Sequence, residues 1–292
     1  MAQIARRLPQ NVGGEFFVDA SCIDCDACRQ IAPATFRDHG GQSSVHTQPQ
    51  TSDATRRALM ALVACPTASI GTSSRLSARA GVEAFPERIT GDIYFCGYTS
   101  EASFGAWSYL IVRDEAAGGN VLVDSPRFAR PLVRRIERLG GVRRMFLTHR
   151  DDIADHARFA AHFACPRVMH ARDGAGRLGV EQVVTGDEPF ALDEDLLGIP
   201  TPGHTRGHQV LLYRRRVLFT GDHLAWSPRR ETLVAFRDVC WDSWPEQTRS
   251  MARLLDHDFE WVLPGHGRIH HAPAGEMREH LRRCVAWMRT VE

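Results

Sequence analysis

Three cysteines near the start of the chain, Cys22, Cys25 and Cys28, stand three residues apart. Thiolates at this spacing can bind one face of an iron–sulfur cubane, and the fourth ligand must then come from another part of the chain. Runs of this type usually close with a fourth cysteine directly before a proline. In this chain Pro33 is present, but Ala32 precedes it. The run therefore predicts a cluster whose last ligand lies elsewhere.

Cys65, which precedes Pro66, is the candidate for that last ligand. Counting back from Cys65 by the same spacing gives Ala61, Ala58 and Thr55, so this second run has kept only its fourth cysteine. The losses in the two runs are complementary, because together they remove every ligand of one cluster and none of the other. We predict a single 4Fe-4S cluster with four thiolate ligands: Cys22, Cys25, Cys28 and Cys65. A zinc site is the alternative, although zinc sites normally pair two CxxC units.

The cysteine-bearing segment, about residues 14–72, resembles a bacterial-type ferredoxin reduced to a single cluster. The resemblance implies a one-electron module and, with it, a possible redox partner protein. The remaining cysteines lack partners at ligand spacing, and we interpret them as small buried apolar residues: Cys96, Cys165, Cys240 and Cys284.

Four histidine-bearing stretches follow later in the chain, each at the end of an apolar run: "RRMFLTH", "GIPTPGH", "RVLFTGDH" and "EWVLPGH". Ligands on short loops at strand ends converge on one edge of a sheet, where the backbone is rigid enough to fix metal geometry. Gly203, Gly221 and Gly265 stand beside three of the histidines and permit tight turns close to a metal. Together the four stretches predict a metal site.

In this order the four stretches resemble the metallo-β-lactamase superfamily, over about residues 85–270. The resemblance implies an αββα sandwich that binds a pair of divalent metals and acts on a small-molecule substrate. It implies seven metal ligands: His149, Asp151, Asp155, His156, His204, Asp222 and His266. One metal would have His149, Asp151 and His204. The other would have Asp155, His156 and His266, and Asp222 would bridge the pair.

Two residues near these ligands are candidate catalytic residues. Asp155 would orient the nucleophile or take its proton, and His223, which follows Asp222, would face the substrate. Arg150 and Arg206 flank ligands and can contact an anionic substrate. A role as solvated surface charges explains them equally well. Trp226 and Trp241 are interpreted as packing residues rather than as walls of a substrate site.

The first motif departs from the pattern of the superfamily, which usually reads HxHxDH. Here Asp151 replaces the second histidine, and two extra residues precede the Asp155-His156 pair. Either Asp151 or Asp152 can serve as the ligand at this point. A carboxylate in place of an imidazole hardens the site, which favours iron or manganese over zinc.

Composition sets outer limits on function. The 292 residues are 43% hydrophobic and 24% charged, as in an ordinary soluble globular protein. A formal net charge of +1 indicates neither a nucleic-acid nor a membrane partner. All 36 basic residues are arginine, which excludes a P-loop lysine and Schiff-base catalysis. With no apolar run long enough for a membrane span and no secretory signal, we expect a cytoplasmic protein. The sequence indicates no oligomeric state.

The elements that must position these residues follow from the hydrophobic pattern. "GEFFVDA" predicts a strand, "TSDATRRALMALVAC" predicts a helix, and the Gly/Ser-rich stretch 66–81 predicts a linker. Strands then come in hairpin-like clusters that later mix with helices, which favours two sheets between helices. We predict an α+β fold with a ferredoxin-like domain and linker over residues 1–80 and a metallo-β-lactamase-like αββα sandwich over residues 81–292.

Three functions are compatible with these residues. The first is a metal-dependent hydrolase of an ester, thioester or phosphoester, whose cluster is structural or senses redox state or oxygen. The second is a di-iron oxidoreductase that acts on O2, NO or a sulfur substrate and receives electrons from the fused ferredoxin. The third is a non-catalytic iron–sulfur protein; a nearly complete ligand set argues against it, because buried charges without a metal are costly.

Overall fold

A computed structural model describes residues 2–74 and 76–291 of the chain. The chain divides into two compact units. The first unit consists of the residues up to Val112 together with Ser125–Gly141, and the second consists of Arg113–Asp124 together with the chain from Val142 onwards. The domain boundary between residues 80 and 81 remains a prediction.

The cysteine-bearing part of the first unit contains two helices and four short strands. The strands are β1 (Phe16–Val18), β2 (Phe36–Asp38), β3 (Ser43–Val45) and β4 (Ile70–Thr72), and the helices are α1 (Ala27–Ile31) and α2 (Ser52–Ala64). Strand β1 pairs with β4 and strand β2 with β3, both in antiparallel fashion. The strand and the helix predicted from "GEFFVDA" and "TSDATRRALMALVAC" are both present.

A capping hydroxyl sets the start of helix α2, and a proline sets its end. The hydroxyl of Thr51 accepts a hydrogen bond from the backbone N–H of Ala54 at 3.1 Å, which caps the first turn. The helix stops at Ala64 because the following Cys65-Pro66 step disfavours helical backbone at Cys65. Ala58 and Ala61 are fully buried in this helix, at positions where ligands of a second cluster would stand. Core packing has therefore replaced the second cluster.

The stretch 66–81, predicted as a linker, is partly regular structure. Strand β4 lies within it and closes the small sheet against β1, and helix α3 (Arg79–Glu83) begins before it ends. Sequence composition misses this strand because Gly71 and the neighbouring small polar residues lack the usual apolar pattern. Arg75, in the middle of the predicted linker, lies outside the described residues.

The rest of the first unit contains three consecutive antiparallel strands, β5 (Glu87–Thr90), β6 (Ile93–Phe95) and β7 (Tyr109–Ile111). It also contains helix α4 (Arg130–Arg138), which buries Leu132, Val133 and Ile136 along one face. The Arg135 guanidinium of α4 donates to the carbonyl of Phe85 at 3.0 Å and so ties the helix to the chain before β5.

The second unit opens with four strands that pair in parallel: β8 (Val121–Val123), β9 (Arg144–Phe146), β10 (Arg167–His170) and β11 (Gln182–Val184). Helix α5 (His156–Phe163) connects β9 to β10. Parallel pairing places the carboxyl ends of β8 and β9 at the same edge of the sheet. His149 follows β9 at that edge.

A six-stranded sheet follows, in the order β12-β13-β14-β15-β18-β19. Its strands are β12 (Phe190–Ala191), β13 (Leu196–Pro200), β14 (Gln209–Tyr213), β15 (Val217–Gly221), β18 (Trp261–Pro264) and β19 (His270–His271). A separate hairpin consists of β16 (Ala225–Ser227) and β17 (Thr232–Val234). Only β15 and β18 pair in parallel, so Asp222 and His266 follow neighbouring strand ends.

The two remaining helices cover this sheet. Helix α6 (Trp244–Arg253) and helix α7 (Ala274–Thr290) contribute Met251, Met277 and Leu281 to a buried cluster that also contains strand residues such as Val210 and Val262. The side chain of Ser243 caps α6 by accepting from the backbone N–H of Glu246 at 3.3 Å. This apolar layer fixes the strands whose ends carry the metal-binding motifs.

No helix in the described part of the chain combines the length and the apolar character needed to cross a bilayer.

Candidate functional site

All four cysteines predicted to bind a cluster line one cavity of about 320 Å³ in the first unit: Cys22, Cys25, Cys28 and Cys65. Two of their sulfurs accept backbone hydrogen bonds, from Ser43 N to Cys22 Sγ at 3.4 Å and from Ser69 N to Cys65 Sγ at 3.2 Å. Burial raises the pKa of the Cys25 thiol to about 12, so an empty cavity holds a neutral thiol. Four converging sulfurs fit a 4Fe-4S cluster, whose binding would displace the thiol protons.

The loop that carries Cys25 is fixed by charge. Asp24 and Asp26, on either side of it, both have positive φ angles, of 62° and 63°. The Arg29 guanidinium donates to Asp24 Oδ1 at 2.6 Å and also pairs with Asp26. One guanidinium thus holds both strained residues, and with them the sulfur of Cys25.

A later segment of the same unit packs beside two of the regions that carry these cysteines. Gly105 has a φ of +86°, and a Cβ atom added there would lie 2.7 Å from Cys25 Cβ and 2.9 Å from Cys25 Sγ. The Thr99 hydroxyl donates to the carbonyl of Ala64 at 2.6 Å, at the end of α2 directly before Cys65. We call Thr99–Gly105 the cover segment, since it contacts two of the ligand-bearing regions.

The histidine motifs meet at one point in the second unit. His149 Nε2 and His204 Nε2 each lie 3.8 Å from Asp222 Oδ2 and 3.9 Å from Asp151 Oδ2. Both nitrogens and the Asp151 oxygen are buried without a hydrogen-bond partner among the described residues. This is the first metal-binding set predicted from the sequence, with Asp222 beside it.

A second set of donors shares Asp222. Ligand atoms of Asp152, Asp222 and His266 lie within 4.8 Å of one another. His266 Nδ1 is 2.8 Å from Asp222 Oδ1, and both oxygens of the buried Asp152 side chain lack a partner within the part of the chain described. Gly265 must be glycine, because a Cβ there would lie 2.3 Å from Asp152 Oδ2. Asp222 therefore stands between two donor sets.

These donors fit a pair of divalent cations. Burial, and next the charge of Asp222, raises the pKa of Asp152 well above its usual range. Burial also lowers the pKa of His149 to about 3, so the imidazole ring stays neutral and its Nε2 can bind a metal. Three imidazoles and three carboxylates converge here, and buried atoms of His149, His204 and Asp152 lack a partner among the described residues. Such a group is costly without a cation and well suited to one.

The structure differs from the predicted second set at Asp155 and His156. His156 Nδ1 lies 3.2 Å from the Arg167 guanidinium and must accept from it, because a guanidinium has only donors. Asp155 forms an ion pair with Arg158 at 3.5 Å. Neither residue belongs to the two donor groups. The two extra residues of the motif explain the difference: Asp152 occupies the loop beside Asp222 and His266, and the Asp-His pair lies at the start of α5.

His223 is fully buried, so the structure does not support its predicted contact with substrate. Burial lowers its pKa to about 3. Its ring lies 5.5 Å from that of His208, centroid to centroid. His208 Nδ1 is 2.9 Å from the Thr201 hydroxyl, a contact that braces the loop carrying His204.

Two further carboxylates, not identified from the sequence, position the metal-binding loops. Asp124 accepts from the Thr148 backbone N–H at 2.8 Å and from the Thr148 hydroxyl at 3.0 Å, and that hydroxyl lies 3.0 Å from His149 Nδ1. Such contacts orient a ligating imidazole. The sequence offered one signal for Asp124, a carboxylate directly after the buried strand "NVLVD".

Asp173 joins the loops that carry His149 and His204. It accepts from the backbone N–H of Arg150 at 3.1 Å, from the Thr205 hydroxyl at 2.6 Å and from the backbone N–H of Gly207 at 2.7 Å. One buried carboxylate thus fixes the distance between two loops that are far apart in sequence. No sequence motif marks it.

Comparisons with known proteins agree with both parts of this description. Residues 18–72 match a family model described as the 4Fe-4S single cluster domain of ferredoxin I. The Drosophila melanogaster protein named β-lactamase-like protein 2 homolog is 30% identical over 83 residues, which are 28% of this chain and 25% of that protein. Hydroxyacylglutathione hydrolase of Mesorhizobium japonicum is 31% identical over 120 residues, 39% of this chain and 47% of that protein. The chain thus spans a quarter to about half the length of these relatives.

Solved structures share the fold at low sequence identity. The DIM-1 metallo-β-lactamase exposed to ceftazidime has a TM-score of 0.53 and 16% identity, over 70% of this chain and 96% of that one. VMB-1 has a TM-score of 0.50 and 13% identity, with the same coverage of 70% and 96%. The predicted fold class is confirmed: the chain has a metallo-β-lactamase fold, preceded in the sequence by a segment that matches single-cluster ferredoxins.

Proposed function

We propose that the protein is a metal-dependent hydrolase of an ester, thioester or phosphoester. The observation that carries the proposal is Asp222, a buried carboxylate shared by two donor sets. In these sets, atoms of His149, His204 and Asp152 are buried without a hydrogen-bond partner among the described residues. Two divalent metals bound there would supply an activated water and a Lewis acid for the scissile bond. The three carboxylates among six donors favour iron or manganese over zinc.

The exposure of the residues around the site indicates the side from which a substrate enters. The Asp151 side chain is 42% exposed and that of Arg150 is 46% exposed, whereas His149, His204 and Asp152 are buried. Substrate therefore approaches from the side of Asp151. Arg150 Nε lies 3.7 Å from Asp151 Oδ1, where the guanidinium can bind an anionic group on the substrate.

Thioesters head the list of substrates to test. The relative named hydroxyacylglutathione hydrolase supports this choice, since its matched region covers 39% of the chain. Metals that polarise a carbonyl serve ester and thioester cleavage alike, so both classes belong in one panel with a phosphodiester.

The test combines metal analysis with turnover. Protein prepared without oxygen should contain about two metals per chain beyond the cluster iron and should hydrolyse at least one member of the panel. Asp222→Asn should lose both properties, because it removes the shared donor. Asp53→Asn changes a carboxylate whose side chain is 75% exposed and serves as the matched control. Full metal content without turnover of any member would contradict the proposal.

A second candidate is a di-iron oxidoreductase that acts on O2, NO or a sulfur substrate. Two observations favour it. The first is the carboxylate-rich donor set, and the second is a cavity whose four cysteine sulfurs can hold an electron-transferring cluster. Iron well beyond the four atoms of the cluster, with turnover that needs reduced cluster, supports this candidate. Hydrolysis that is indifferent to the redox state of the cluster argues for the first.

A further inference from the structure

Trp241 is the most exposed of the large apolar residues described, with 60% of its surface in solvent. Val239, two residues earlier in the same loop, is 37% exposed. We call Arg237–Ser243 the platform loop. The position of Trp241 differs from the packing role expected from the sequence, because most of the indole has nothing to pack against.

The platform loop is attached to the loop that carries the metal donor His204. The backbone N–H of Trp241 donates to the carbonyl of His204 at 2.9 Å, and that of Ser243 donates to the carbonyl of Gly203 at 2.9 Å. The Cys240 thiol also donates to the Gly203 carbonyl, at 3.2 Å. Backbone bonds from the platform loop to Gly203 and His204 thus hold Trp241, and its exposure belongs to a fixed conformation.

An ion pair adds a third attachment. Arg206 Nε donates to Asp242 Oδ1 at 3.0 Å, directly after Trp241. Asp173 in turn connects the His204 loop with Arg150 through the backbone bonds described above. The Trp241 indole, which is apolar, and the Arg150 guanidinium, which is cationic, are therefore both held by the loops that carry the metal donors.

We propose that Trp241 binds the apolar acyl group of the substrate, so that the preferred substrates are medium-chain or aromatic acyl esters or thioesters. The inference rests on the proposed hydrolase function and specifies its substrate class. An indole offers a large, rigid apolar face at low entropic cost. Each methylene that the indole removes from water contributes up to about a four-fold gain in binding.

The experiment compares a series of acyl thioesters from acetyl to octanoyl, together with benzoyl. In the wild-type protein kcat/KM should increase about two- to four-fold per methylene until the indole is covered. Trp241→Ala should flatten this series through KM, and Trp241→Phe should restore part of it. Val183→Ala, which removes an apolar side chain 47% exposed on β11, is the matched control.

A binding measurement separates this inference from the proposed function. The wild-type protein should bind a non-hydrolysable octyl thioether at least ten-fold more tightly than Trp241→Ala does, by calorimetry with the metals bound. This difference in binding, without turnover of any acyl compound, would refute the hydrolase function and keep the apolar site. Equal binding by the two proteins, or an equal loss of turnover for every chain length, would overturn the role of Trp241.

Discussion

At the scale of single residues, function in this protein depends on carboxylates in unusual places. Asp151 stands where the superfamily pattern has a histidine, and Asp152 is buried with both oxygens unpaired. Asp222 lies between the two donor sets. Each residue was visible in the sequence, but the roles of Asp151 and Asp152 were left as alternatives. The structure gives a place to both, one in each set.

Substitution of Asp152 and Asp155 distinguishes the structural assignment from the one made on the sequence. Asp152→Asn should reduce the metal content beyond the cluster from about two to about one per chain, because an amide is a much weaker ligand than a carboxylate. Asp155→Asn, which changes a residue paired with Arg158, should leave it unchanged. Plasma emission spectroscopy on protein prepared without oxygen gives the count. The opposite pattern would restore the original assignment.

The bracing residues were not identified from the sequence. Asp124 and Asp173 act on loops 24 and 32 residues away, on Thr148 and Thr205. Short motifs reveal ligands because the metal requires a fixed spacing on one loop. A brace needs only to be close in space, so its position in the sequence carries no signature.

At the scale of elements, the strands and helices with clear hydrophobic periodicity were predicted well, including α2 and the strands that end in the histidine motifs. Strand β4 was missed because Ile70–Thr72 is short and contains a glycine. The cover segment was missed as well, since Gly105 is far from Cys25 in the sequence. Local pattern predicts an element, but the partner of that element depends on the whole fold.

The close contact at Gly105 makes a prediction for the cluster. Gly105→Ala should reduce cluster content by half or more, because the added methyl has no room beside Cys25 and φ is +86°. Gly13→Ala is the matched control, as a Cβ there meets nothing within 4 Å. Absorbance in the visible range and iron content provide the measurement. If both variants hold as much cluster as the wild-type protein, the cover segment does not constrain it.

The ion pair between Glu181 and Arg167 of β10 should affect the unfolding free energy at acidic pH. Hydrogen bonds from the guanidinium lower the pKa of Glu181 to about 2, below its value in the unfolded chain. The unfolded chain therefore binds more protons between about pH 4.3 and pH 2, so this contribution to stability is complete above that range and lost as the pH falls through it.

Glu181→Gln should accordingly narrow the difference in unfolding free energy between pH 6 and pH 3, measured with urea. The effect will be modest, since the Glu181 side chain is 47% exposed and solvent screens the pair. Glu279→Gln, which changes an acid 57% exposed on α7, controls for general charge effects. A pH dependence identical to wild type in Glu181→Gln would show that the pair does not form in solution.

At the scale of the whole molecule, two sites of different chemistry lie in different units. The sulfur cavity belongs to the first unit and the histidine and aspartate donors belong to the second. The softness of the donor atoms decides which metal each site holds. Soft thiolates retain iron in a cluster, whereas the harder carboxylates and imidazoles exchange divalent ions with solution.

Metal removal should act on one site and spare the other. EDTA should lower the melting temperature of the second unit, and Mn²⁺ at about one hundred times its Kd should restore about 5–10 °C, since ligand binding stabilises the folded state. The visible absorbance of the cluster should persist throughout. Calorimetry with parallel absorbance readings measures both, and Asp222→Asn should show no response to Mn²⁺. Loss of the cluster in EDTA would show that the two sites are not independent.

The cover segment also sets an order of events during synthesis. Cys22, Cys25, Cys28 and Cys65 all leave the ribosome well before Thr99–Gly105, and chains fold progressively from the N-terminal side. A nascent chain that ends before Thr99 thus presents an open set of four thiols, which the later residues close. We expect iron–sulfur loading to be faster on ribosome-bound chains stalled when the residue before Thr99 has just left the exit tunnel than on the finished apoprotein, as iron uptake would show. The cavity is a site with a limited period of access, and translation determines when that period ends.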